Sequence, residues 1–135
     1  MTLLDADVLI HCLKGREPAV SRFRAAGPSE IAIPAIVAYE LEYGTLRSTS
    51  SQRRRILSEM LQDIVEIPFD RDAARVSARI RVDLERRGFT IGPLDLLIAG
   101  TVLSRGAILA TNNSREFSRI KGLRVEDWNS PGGRQ

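Results

Sequence analysis

The chain has 135 residues, with 20 basic and 17 acidic side chains, one histidine and one cysteine. Cys12 alone cannot close an internal disulfide, and the longest apolar run, Ile31 to Tyr39, is short and broken by Pro34. These features exclude a disulfide scaffold and a membrane span, and they predict a cytoplasmic protein. The length predicts one domain over residues 1–129, with a flexible tail at 130–135.

Lys14 and Lys121 are the only lysines, and every other basic residue is arginine. Arginine's planar fork suits RNA or an acidic partner, but a GC-rich genome favours the same bias, so charge alone decides nothing.

Leu3 and Leu4, ending at Asp5, read as a buried parallel strand. Val8 to Leu13 then reads as a short helix, with Asp7 as its N-cap and Gly15 as its stop. Ligands of parallel α/β sheets bind beyond the carboxyl ends of the strands, so Asp5 is expected at that rim. His11 is given no catalytic role. Glu17 to Ala26 reads as a second helix, closed by Gly27-Pro28. Glu30 to Ile33 is a short strand, and Pro34 opens the helix Ala35 to Arg47. Val37, Leu41 and Gly44 share one face of that helix, and Glu40 flanks its apolar edge on the Asp5 side of the sheet.

A polar link at Ser48 to Gln52 precedes a helix from Arg53 to Asp63 and a strand from Ile64 to Pro68. A long helix follows, from Asp70 or Arg71 to about Arg87. Arg71, Arg75 and Arg79 recur along it every four residues. This ridge reads first as a solvated face, with Asp83 pairing Arg79 or Arg87; beside a cleft it would guide a phosphate backbone. Gly92-Pro93 then starts another helix with Asp95 in its first turn, where the helix dipole favours an acid by about 0.3–1 kcal/mol. Apolar residues nearly all round that helix predict its burial, and a buried helix aims its leading carboxylate at a site. After Gly106, Ala107 to Ala110 is a fourth strand. Thr111 to Phe117 repeats the first strand's pattern and carries Glu116. Leu123 to Trp128 is the last strand.

The order β-α-α-β-α-α-β-α-α-β-α-β predicts an α/β protein with helices on both faces of a central, mostly parallel sheet of four to five strands. Asp5, Glu40, Asp95 and Glu116 then converge on one edge from four segments. Carboxylates some 5 Å apart repel by about 3 kcal/mol per pair at an effective dielectric near 20, so the cluster calls for a counterion. Hard oxygen ligands without cysteine or histidine select Mg²⁺ or Mn²⁺. Such an ion binds phosphate oxygens and activates water, which predicts phosphodiester hydrolysis.

Four stretches also resemble the motifs of PIN-domain ribonucleases: Leu4-Asp5-Ala6-Asp7-Val8-Leu9-Ile10, Tyr39-Glu40-Leu41-Glu42-Tyr43-Gly44, Ile91 to Ala99, and Thr111-Asn112-Asn113-Ser114-Arg115-Glu116-Phe117. The closing Lys121 to Trp128 resembles the VapC toxins. The resemblance implies a three-layer α/β/α fold and a divalent-metal-dependent endoribonuclease. It also implies the toxin of a VapBC toxin–antitoxin pair, held inactive by its VapB-type antitoxin and usually a homodimer. By position the family's acids fall on Asp5, Glu40 and Asp95; the fourth falls on Glu116, or on the position of Asn113. Many relatives have Ser or Thr where Ala6 stands, so one hydrogen bond supporting the first acid is expected to be missing here.

Two other readings compete. Asp5-Ala6-Asp7 after an apolar strand resembles the nucleophile motif of haloacid-dehalogenase-type phosphatases, with Asp5 taking the phosphoryl group and Asp7 as acid/base. That family needs a supporting lysine and a late acidic pair, which Lys14, Lys121 and Ala107 to Asn113 do not supply. A non-catalytic RNA- or partner-binding domain predicts an incomplete set of acids, whereas this set is complete.

Overall fold

A computed structural model describes residues 1–129; the expected tail at 130–135 lies outside the described residues. In chain order the elements are β1 (Thr2–Leu4), α1 (Ala6–Leu13), α2 (Ala19–Ala25), β2 (Ile31–Pro34), α3 (Ala35–Arg47), α4 (Ser51–Asp63), β3 (Val65–Ile67), α5 (Arg71–Arg86), α6 (Pro93–Ser104), β4 (Ile108–Ala110), α7 (Ser114–Phe117) and β5 (Arg124–Glu126). A 3-10 turn at Pro28–Glu30 leads into β2.

The five strands form one sheet in the order β3-β2-β1-β4-β5, and every pairing is parallel. The chain moves outward from β1 through β2 to β3, then returns across the sheet to β4. Right-handed crossovers therefore place α1 to α4 on one face and the returning α5 and α6 on the other, giving three layers. Strands covered on both faces need apolar residues throughout, and Leu3, Leu4, Ala32, Ile33, Leu109 and Ala110 are all fully buried. The reversal of direction leaves a topological switch point between β1 and β4. Beyond their carboxyl ends lies the crevice in which such sheets bind ligands.

Helix boundaries differ from the sequence reading where capping side chains set them. Asp5, not Asp7, caps α1: its Oδ1 accepts from the Ala6 N–H at 2.7 Å, and the helix starts at once. Because β1 ends at Leu4, no link remains for Asp7 to cap, and Asp7 sits exposed in the first turn. Pro34 closes β2 and flanks α3, which begins at Ala35. Ser50 Oγ accepts from the Arg53 N–H at 3.2 Å, so α4 takes in Ser51 and Gln52 from the expected link.

The returning layer is held by the antiparallel pair α5 and α6. Asp70 caps α5 and also accepts from Arg105, just past α6, at 3.2 Å. At their crossing Gly100 lies against Ser77; a Cβ there would stand 1.8 Å from Ser77 Oγ. Only glycine permits this approach, which fixes how α6 presents its first turn. Among the described residues no helix is long and apolar enough to cross a membrane.

Candidate active site

Asp5 leaves β1 at the switch point, where its N–H donates to the Ala110 carbonyl of β4 at 2.9 Å. Pairing of Leu4 with Ala110 sets Asp5 beside Thr111. Thr111 is fully buried, and its Oγ1 donates to Asp5 Oδ2 at 2.8 Å while accepting from the Asn113 N–H at 3.0 Å. Both carboxylate oxygens of Asp5 are thus held, one by the helix start and one by a hydroxyl from the next strand. The support expected to be lost with Ala6 is supplied by Thr111.

Glu40 lies in the second turn of α3, a helix that touches both α1 and α6. Its Oε1 is buried and has no hydrogen-bond partner. Asp95 is the third residue of α6, under the free N–H groups of the first turn, with Oδ2 over Gly92. Glu116, in α7, accepts from Asn113 Nδ2, so both positions considered for the fourth acid lie side by side.

The acids act on one another through space. Burial raises the pKa of Glu40 to about 7, with further upward pushes from Asp5, Asp95 and Asp7. Burial likewise raises Asp95 to about 6, helped by the charges of Asp5, Glu116 and Asp7. Asp5 is also raised, chiefly by burial, against the opposing hydrogen bonds from Thr111 and Ala6. None of Asp5, Glu40, Asp95 and Glu116 forms an ion pair with a described lysine or arginine. The four segments therefore contribute to one negative field, and Asp7 adds to it.

Among the described residues, no three carboxylate, imidazole or thiol groups stand close enough to form a ready-made metal-binding set. The fit to a hard divalent cation rests instead on the chemistry of the donors: carboxylate oxygens only, and a buried Glu40 oxygen with nothing to bond. A lone buried carboxylate oxygen is costly unless a cation or donor meets it.

The sequence reading missed Thr111. The position after β4 was visible as polar, but which of Thr111, Asn112 and Asn113 faces Asp5 depends on strand register. His11 is a neighbour of this loop: its Nδ1 lies 2.8 Å from Asn129 Oδ1 and 3.4 Å from Asn112 Nδ2, which ties α1 to the segments after β4 and β5.

Comparison with known proteins gives matches over nearly the whole chain. The PIN domain family matches residues 2–123. The tRNA(fMet)-specific endonuclease VapC of Shigella flexneri is 35% identical over 127 residues, covering 93% of this chain and 96% of the relative. Ribonuclease VapC2 of Haemophilus influenzae is 30% identical over 128 residues, covering 93% and 96%. Among solved structures, VapBC2 from Rickettsia felis, bound to a DNA fragment from its promoter, superposes with a TM-score of 0.85. It is 30% identical, over 94% of this chain and 98% of that one. These relatives give no support to the phosphatase reading or to a non-catalytic domain.

Proposed function

The chain belongs to the PIN-domain family and, within it, to the VapC ribonucleases, and on that premise we propose that it is a divalent-metal-dependent endoribonuclease, the toxin of a VapBC pair. The observation that carries the metal-dependent chemistry is the field of acids at the β1/β4 switch point, with no described cation paired to it and Glu40 Oε1 unbonded. PIN nucleases are generally divalent-metal dependent. Asp5, Glu40 and Asp95, with Glu116 as the fourth, would hold Mg²⁺ or Mn²⁺. When bound, such an ion supplies the charge that polarises a phosphodiester and makes water acidic enough to attack it.

The chain's own residues set the conditions for that step. Thr111 Oγ1 and the Ala6 N–H fix the orientation of Asp5, so its oxygens need no reorganisation when a cation arrives. The first turn of α6 presents Asp95 from a dipole end that offsets part of its charge. Glu40, raised to about 7 by burial and by the neighbouring acids, would have to give up its proton to serve as a ligand. The acids also repel a free phosphate backbone, which ties substrate approach to the cation.

The proposed partners are RNA as substrate and a VapB-type antitoxin, since the Rickettsia relative was solved as a VapBC assembly. A homodimer and a cytoplasmic location complete the reading. Tyr39, Tyr43 and Leu46, exposed on one stripe of α3, offer apolar surface for protein assembly.

The test is cleavage of total RNA by the purified chain with Mg²⁺, with Mn²⁺ and with chelator, alongside Asp95→Asn. Cleavage that needs either ion and disappears in the variant is expected. The metal should also raise the melting temperature of the wild type, since an ion at a hundred times its Kd adds about 2.7 kcal/mol. RNA left intact with both ions, by folded protein, refutes the proposal.

A further inference from the structure

The outer face of α5 carries charge that neither the fold nor the acid site uses. At 3.6 residues per turn, Arg71, Arg75, Arg79 and Arg86 fall within about 80° of one another, opposite the buried face of Ala73, Ser77, Ile80 and Leu84. All four are exposed. Other arginines of the same helix are paired as a solvated helix requires: Arg81 with Glu85 at 3.2 Å, and Arg87, its C-cap, with Asp83 at 2.7 Å. On the ridge only Arg75 has a partner, Asp72, at 3.9 Å between two exposed side chains. Asp83, four residues after Arg79, turns instead to Arg87 and Lys121, and Arg86 shares only its field. Arginines at i and i+4 repel, so Arg71-Arg75-Arg79 works against its own helix.

Placement gives the ridge a direction. Asp70 and Arg105 bind the start of α5 to the end of α6, so the end bearing Arg86 lies beside the first turn of α6, where Asp95 stands. From there the ridge runs about 22 Å away from the acids, the span of about six stacked nucleotides at 3.4 Å each. The only large apolar side chain on it is Val82, which does not provide the buried anchors of a protein interface.

We propose that the ridge of Arg71, Arg75, Arg79 and Arg86 is a docking track for the phosphate backbone of substrate RNA, holding a segment remote from the bond to be cut. This rests on the ribonuclease reading and extends it: the acids act at one phosphate, and the ridge selects RNA long enough to reach along α5.

The test neutralises the four residues together, Arg71→Gln, Arg75→Gln, Arg79→Gln and Arg86→Gln, since glutamine keeps helix propensity. A control of equal charge changes Arg16, Arg24, Arg54 and Arg55, exposed residues elsewhere, to glutamine. Binding in chelator is measured against salt for two probes: an RNA hairpin of about twelve base pairs with a single-stranded end, and a single strand of about two nucleotides, too short to reach along the ridge. At about 0.7–0.9 per phosphate contact, the slope of log K against log[salt] should fall by about 3 for the hairpin, with affinity lower by about tenfold or more. The short strand and the melting temperature should be unaffected. Equal losses in the control variant, equal losses on the short strand, or an unchanged hairpin slope would each overturn the track while leaving the ribonuclease reading in place. A wild type that neither binds the hairpin nor cleaves RNA with metal removes both.

Discussion

Replacing Glu40 by glutamine keeps the side chain's shape and removes its charge, which isolates what the acid field does to stability. Burial first, then Asp5, Asp95 and Asp7, raise Glu40 from 4.5 to about 7. Between those values the folded protein holds a proton that the unfolded chain has released. The stability that comes from neutral Glu40 is therefore complete below about pH 4.5 and is lost as pH rises through about 7. The full difference corresponds to about 3 kcal/mol, and partial solvent exposure reduces this to about 1–2 kcal/mol. In chelator, urea unfolding should show Glu40→Gln and wild type equally stable at about pH 4, with the variant ahead by that margin at about pH 8. Adding Mg²⁺ at pH 8 should reverse the order, since only the wild type keeps the full set of acids. A stability difference between the two proteins that stays constant from about pH 4 to about pH 8 refutes the reasoning.

Further substitutions separate the roles of Asp5, Asp7, Thr111 and Gly100. Asp5→Asn keeps a good N-cap and should fold, yet lose RNA cleavage, whereas the exposed Asp7→Asn should retain cleavage; loss of activity in folded Asp7→Asn would return Asp7 to the chemistry. Thr111→Val removes a buried hydroxyl that serves Asp5 and Asn113, so urea unfolding should show a loss of about 1–3 kcal/mol, with Thr111→Ser recovering most of it. Gly100→Ala forces a Cβ into Ser77 and should cost about 1–3 kcal/mol, part of which Ser77→Gly restores; an unchanged melting temperature would show that α5 and α6 can separate freely.

What was legible in the sequence depended on whether neighbours in the chain or neighbours in space decide the outcome. An apolar run ending in Asp5, and Gly92-Pro93 ahead of Asp95, are local signals, and the structure carries both where expected, Asp5 directly after β1 and Asp95 in the first turn of α6. Sequence alone could not say which aspartate caps α1, because that depends on β1 ending at Leu4. Thr111 was hidden for a related reason: the pairing of Leu4 with Ala110 selects it from a run of polar residues. Helical spacing placed Glu40 at the edge of an apolar face, but its burial comes from the meeting of α1, α3 and α6. The arginine ridge was visible as a spacing. Its lack of partners, the Arg75–Asp72 pair apart, was not, because Asp83 chooses Arg87 and Lys121 from the tertiary arrangement.

The acid field and the tight α5–α6 crossing belong to one design. Raised pKa values for Glu40 and Asp95 mean that ionising these residues at neutral pH weakens the fold. Such a cluster stays in place only if its supports are stiffer than the repulsion is strong. The supports are the β1–β4 pairing that seats Asp5 against Thr111, and the glycine-tight contact that positions the first turn of α6. A cation bound as proposed would meet Asp5 oxygens already oriented, and the repulsion that weakens the chain would turn into affinity for the ion. Stability and metal affinity should therefore move in opposite directions when one acid is neutralised, and in the same direction when Thr111 or Gly100 is changed. That contrast separates residues that supply charge from residues that place it.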